Sequence, residues 1–134
     1  MADPDDIDIL HVDDDPEFLS VVADLLETAE SRITVQTAAT TSEGIEQIGA
    51  VIPDCVVADY ELPGQTGIEF LQTVREIHPN LPFIMLTGRG NEDVASDAIA
   101  AGATDYLQKK TAFDQHQVLI NRSEERRVGK ECRL

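Results

Sequence analysis

Five polar residues stand where short strand-like runs stop. Asp13 and Asp14 follow residues 7–12, Asp59 follows 55–58, Thr87 follows 82–86, and Lys109 follows 104–108. Gathered in one place, these side chains have a definite chemistry. Three carboxylates about 5 Å apart repel one another by roughly 3 kcal/mol per pair at an effective dielectric near 20. Some of them must then be protonated, or a cation must sit among them. Oxygen donors with access to water favour Mg2+, which takes one or two carboxylates together with a phosphate oxygen. Lys109 supplies a second positive charge, and Thr87 a hydroxyl donor. Such a set can hold a phosphoryl group on an Asp carboxylate, a recognised covalent acceptor. Positioning and charge neutralisation are most of what phosphoryl transfer requires.

Elements of defined order must bring these residues together. Residues 7–12 form a short apolar run, followed by apolar positions 18, 21, 22, 25, 26 and 29 at helical spacing. Asp15 before Pro16 is an N-cap and first-helical-residue pair, and capping is favoured over metal binding as its role. Residues 33–38 read as a β-branched strand. Thr40 with Glu43, and Thr66 with Glu69, have capping-box spacing ahead of two further helices. Residues 55–58 and 82–86 are wholly apolar strands apart from Pro82. Asn91 can cap a helix carrying Val94, Ala95, Ala98 and Ile99. The run 104–108 is a last strand, and a final helix starts near Asp114.

This order is βα repeated five times. It predicts an α/β, doubly wound, flavodoxin-like (βα)5 fold with a five-stranded parallel sheet in the order 2-1-3-4-5. In such a sheet ligands bind outside the carboxyl ends of the strands, which is where four of the five strands carry the polar residues. The second strand, ending in Ala38 and Ala39, contributes none and belongs at an edge.

The chain has 134 residues, one domain's worth, with 26 acidic against 10 basic residues and a formal net charge of −16. So acidic a surface repels nucleic-acid phosphates, which excludes DNA or RNA as a direct partner of this chain. It also matches the composition of halophilic proteins and points to a salt-rich host. No apolar run approaches the ~20 residues of a membrane span, and the start is acidic where an export signal is basic. Cys55 and Cys132 have no metal or redox spacing, so a reduced, cytoplasmic protein is expected. His11, His78 and His116 are scattered, and His11 reads as structural.

Half of the basic residues fall in residues 122–134. That segment can be back-translated into a common sequencing adapter, so it reads as a cloning or sequencing-adapter remnant rather than as native chain. The expected organisation is an acidic leader at 1–6, a functional domain at 7–121, and the remnant. The native gene would then continue beyond about residue 121.

The strand-end residues also carry a family resemblance. Val12-Asp13-Asp14, Val57-Ala58-Asp59 with Pro63 and Gly67, Leu86-Thr87-Gly88, and Asp105-Tyr106-Leu107-Gln108-Lys109 resemble the response-regulator receiver domain of two-component signalling. Each fragment alone is weak; in order, each at its strand end, they are specific. The resemblance implies that Asp59 is the phosphoacceptor. Asp13, Asp14, the Asp59 carboxylate and the main-chain carbonyl of Glu61 would hold Mg2+. Thr87 and Lys109 would bind the phosphoryl oxygens, and Tyr106 would be the aromatic whose orientation follows the switch. The phosphoryl donor would be the phosphohistidine of a sensor histidine kinase or phosphotransfer protein. Catalysis would be limited to the domain's own phosphorylation and dephosphorylation. Downstream PAS, kinase or other output modules would lie in the full-length protein.

Lys110 departs from the Pro usual in that family. Glu61 and Arg89 lie near the site entrance, with surface and tuning roles equally open, and Tyr106 is equally well a packing aromatic. Two other functions compete. One is a pseudo-receiver, an interaction module that never takes phosphate, against which the intact acidic, Thr and Lys set argues. The other is an Asp-nucleophile phosphohydrolase of the haloacid dehalogenase type, faintly echoed by Asp59-Tyr60-Glu61. Pro63 and the short chain speak against it.

Overall fold

The computed structural model describes residues 5–88, 92–109 and 120. The expectations for Arg89, Asn91, Lys110, the helix from Asp114 and the segment 122–134 lie outside the described residues.

Strand β1 (Ile7–Val12) leads into helix α1 (Pro16–Ala29). The Asp15 side chain accepts from the backbone N–H groups of Glu17 and Phe18 at 3.1 and 3.2 Å, satisfying two donors that the helix start leaves free. Strand β2 (Ile33–Ala38) and helix α2 (Thr41–Ala50) follow. Thr40 Oγ1 accepts from the Glu43 amide, and Glu43 reaches back to the Ala39 amide. The predicted capping box forms, displaced by one residue on its return arm. Strand β3 (Cys55–Asp59) is buried throughout. Two short arms, β4 (Glu61–Leu62) and β5 (Gln65–Thr66), pair antiparallel before helix α3 (Gly67–Ile77). The chain closes its described part with β6 (Phe83–Thr87), α4 (Glu92–Ala100) and β7 (Asp105–Gln108).

The main sheet has the order β2-β1-β3-β6-β7, and all of its pairings are parallel. Set apart from the two-residue arms, this is the predicted 2-1-3-4-5 order of a flavodoxin-like fold. The arms themselves were not predicted; their pattern is too short to have a period.

Alternation along the strands divides the core in two. Leu10, Val12, Val56, Ala58, Phe83 and Met85 face α2, α3 and α4 through Ile48, Phe70, Leu71, Val74 and Ala98. Ile7, Ile9, Cys55, Val57, Ile84 and Leu86 face α1 through Val22 and Leu26, and Ile120 joins them. Helices on both faces explain why β3 and β6 read as unbroken apolar runs.

One cation secures the end of the sheet away from the strand-end acids. Arg75, in the last turn of α3, donates to the carbonyls of Gly102, His78 and Leu81 at 2.8, 3.1 and 2.6 Å. The planar guanidinium thereby ties together the loops that feed β6 and β7.

Candidate functional site

Parallel pairing brings the ends of β1, β3, β6 and β7 to one rim. Thr87 pairs with Gln108, so Lys109 lies just past the end of the ladder. Its ammonium lies 2.8 Å from Asp13 Oδ2 and 3.2 Å from Asp59 Oδ2. Asp13, Asp59 and Thr87 are buried, whereas Asp14 is exposed. Carboxylate oxygens of Asp13, Asp14 and Asp59 lie within 4.8 Å of one another.

The local chain explains how Asp13 and Asp59 are aimed. Asp13 Oδ1 accepts from the Asp15 amide at 2.9 Å, which leaves Oδ2 to Lys109. After β3, the Tyr60 amide donates to Leu86 O, and the Gly67 amide donates back to Tyr60 O at 2.7 Å. A Cβ on residue 67 would lie 2.5 Å from Asp59 O and 2.9 Å from Tyr60 Cα, so only glycine permits this approach. Pro63 and Gly64 turn the β4–β5 arms, with Gly64 at φ +74°. The return of the chain also sets the Glu61 amide to donate to the Asp59 carboxylate.

Electrostatics follow from this packing. Burial, reinforced by the Asp13 charge, raises the Asp59 pKa above the ordinary carboxylate value, against the pull of Lys109 and the Glu61 amide. Burial by itself would lower the Lys109 pKa, but its two carboxylate partners outweigh this and raise it. His11 is pulled down to about 3, first by burial and then by Lys109, and is therefore neutral at physiological pH. It is fully buried, and neither ring nitrogen has a hydrogen-bond partner among the described residues.

Thr87 and Tyr106 belong to the other side of the sheet. Alternation puts them in line with Phe83 and Met85, on the α4 face, and half-buried Tyr106 packs against that core. The rim therefore receives Asp13, Asp59 and its ammonium from the α1 face and its hydroxyl from the α4 face. Arg89 lies outside the described residues, and the Glu61 residue is exposed.

Phe18 was not foreseen as part of the site. Its ring centroid lies 4.7 Å from Lys109 Nζ and 5.5 Å from the His11 ring, in a T-shaped arrangement. In the sequence it is one more apolar position of α1. Its place three residues after the capping Asp15 was the available signal.

Residues 9–121 match the family described as Response regulator receiver domain. The chain belongs to this family. It is 33% identical over 129 residues to the nitrogen assimilation regulatory protein NtrX of Azorhizobium caulinodans, covering 94% of this chain and 28% of that protein. It is 32% identical over 112 residues to the DNA-binding transcriptional regulator NtrC of Escherichia coli, covering 84% of this chain and 24% of that one. The crystal structure of a response regulator receiver domain protein from Clostridium thermocellum superposes with a TM-score of 0.83 at 28% identity, covering 96% of this chain and 99% of that one. The chain thus spans about a quarter of the length of these two curated relatives. As a receiver domain, it serves phosphorelay signalling. Asp13, Asp14, Asp59, Thr87 and Lys109 are all in place at the strand ends, which removes the grounds for a pseudo-receiver. Among the described residues no helix is long and apolar enough to cross a membrane.

Proposed function

We propose that this receiver takes its phosphoryl group on Asp59. The observation that carries the assignment is the double ion pair of Lys109. A single ammonium is shared between Asp13, which is held from its other oxygen by the Asp15 amide, and Asp59, whose carboxylate is buried in the acidic cluster but less deeply than that of Asp13. Attack by an Asp59 oxygen on the phosphorus of a phosphohistidine forms an O–P bond as the P–N bond breaks. The electron pair of that bond stays on the imidazole nitrogen of the donor. Lys109 favours the anionic form of the acceptor against its burial, then follows the new charge from the carboxylate to the phosphoryl oxygens. Thr87 donates its hydroxyl from the neighbouring strand. Tyr106, on the same face as Thr87, adjusts to that movement and passes it to the surface of β7.

The donor set is all oxygen and includes one water-exposed carboxylate, which fits Mg2+. Asp13, Asp14, Asp59 and the Glu61 carbonyl would hold the ion, which when bound neutralises charge on the phosphoryl oxygens. The donor is a sensor histidine kinase or phosphotransfer protein in the cytoplasm. PAS, kinase or other output modules belong to the full-length protein. Residues 122–134 are read as a cloning or sequencing-adapter remnant because they hold half of the chain's basic residues and can be back-translated into a common adapter. The acidic surface is read as salt adaptation of a haloarchaeal host. A protein equally stable in dilute buffer and in molar KCl would contradict that origin.

The assignment is tested by incubating the protein with acetyl phosphate, with and without Mg2+, and reading intact mass. The expected result is an Mg2+-dependent gain of about 80 Da, one phosphoryl group, that disappears in Asp59→Asn. A gain of the same size in Asp59→Asn would overturn the assignment.

A further inference from the structure

We propose that Phe18 is a positioning residue for Lys109, its ring forming the wall against which the ammonium moves between carboxylate and phosphoryl oxygen. The inference rests on the reading of Lys109 given above.

Four contacts close a ring around the site. Asp13 Oδ1 accepts from the Asp15 amide, and Asp15 Oδ1 accepts from the Phe18 amide. The Phe18 ring lies under Lys109 Nζ, and Lys109 Nζ returns to Asp13 Oδ2. The segment that caps α1 therefore places both the carboxylate and the aromatic face that hold one ammonium. A lysine side chain has four flexible methylenes, and only a quarter of this one is exposed, 24%. Two carboxylates alone fix its charge along one line. The ring adds a third contact, within the ~6 Å reach of a cation–π interaction.

His11 explains why the ring stays in place. It is a fully buried residue of β1, packed against Phe18 with ring planes 74° apart. Its nitrogens bond no described group, so its role there is shape.

A cation–π contact suits this site because it carries no formal charge. A carboxylate in the place of Phe18 would hold Lys109 too tightly for it to follow the phosphoryl group. An aliphatic side chain would leave it free to wander.

The test is a double-mutant cycle on the rate of phosphorylation by acetyl phosphate with Mg2+, followed by intact mass in wild type, Phe18→Leu, Lys109→Ala and the double variant. Phe18→Leu should slow uptake about five- to tenfold when Lys109 is present and less than about twofold when it is absent. Phe18→Tyr, which keeps the ring, should stay within about twofold of wild type. An equal loss in both Lys109 backgrounds, or no loss at all, overturns the proposal. Should Phe18→Leu fail to fold, a ring-fluorinated phenylalanine at 18 keeps the shape and drains the ring face of charge. Its uptake should fall as fluorines are added, and a flat response overturns the proposal. Wild type that never takes phosphate would instead condemn the reading of the site, so the two failures remain distinct.

Discussion

Two cations hold the two ends of this sheet, and they are held differently. Arg75 donates to three backbone carbonyls, all neutral and all fixed by the loops they belong to. Lys109 is shared by two side-chain carboxylates and one aromatic face. The Arg end has partners whose charge never changes. At the Lys end, one partner is proposed to gain a phosphoryl group, and the cation must then move. A forked, planar donor suits the first task, and a single ammonium on a flexible stem suits the second. The same contrast appears in energy. Three hydrogen bonds from a charged donor to neutral acceptors stabilise the fold. A buried carboxylate with a raised pKa costs stability that function requires.

The largest expected effect lies at the fixed end. Arg75→Ala should destabilise the domain by about 2–3 kcal/mol in urea unfolding, because three carbonyls lose one charged donor. Its rate of phosphorylation per folded molecule should stay near wild type. A stability unchanged by the substitution would mean that the clamp is a surface contact only.

Gly67→Ala comes next and joins the two ends of the comparison. The new methyl meets the Asp59 and Tyr60 backbone as well as the Met85 sulfur, and because backbone cannot swing aside the chain around Asp59 must move. The expected cost is about 2 kcal/mol, with phosphorylation falling more than stability alone explains. A variant that unfolds at the same urea concentration as wild type would contradict the close approach.

The smallest effect has the opposite sign. The folded state binds the Asp59 proton more tightly than the unfolded chain does, since burial and Asp13 raise its pKa. Stability contributed at this site therefore falls as pH rises from the ordinary carboxylate range through the folded pKa, and then levels off. Asp59→Asn removes the charge and should be more stable than wild type at neutral pH, by about 1 kcal/mol. The gap should narrow as pH falls below that window. A less stable Asn variant at neutral pH would show that Lys109 more than offsets the burial of Asp59.

Much of this was legible in the sequence, for identifiable reasons. The strands β3 and β6 are apolar at every position because both faces are covered, so they stood out without periodicity. Asp15 and Thr66 announced helix starts through side chains that satisfy backbone donors, and both do so. Asp13, Asp59 and Thr87 were visible because each ends an apolar run at the edge of a parallel sheet, and Lys109 because it closes the last strand. The β4–β5 arms were not legible, being two residues each and defined only by pairing across Pro63-Gly64. Phe18 was not legible as a site residue either. One side of its ring serves the core, as any phenylalanine in α1 would, and its contact with Lys109 exists only once β7 is placed in the sheet.

The central claim is that Asp59 receives the phosphoryl group, and a chemical map of that bond tests it most directly. Borohydride reduces an acyl phosphate to an alcohol, converting the phosphorylated Asp to homoserine with loss of phosphate. Protein treated with acetyl phosphate and Mg2+, reduced, digested and sequenced by mass spectrometry should carry homoserine at position 59. Homoserine at position 13 or 14 with none at 59 would contradict the account.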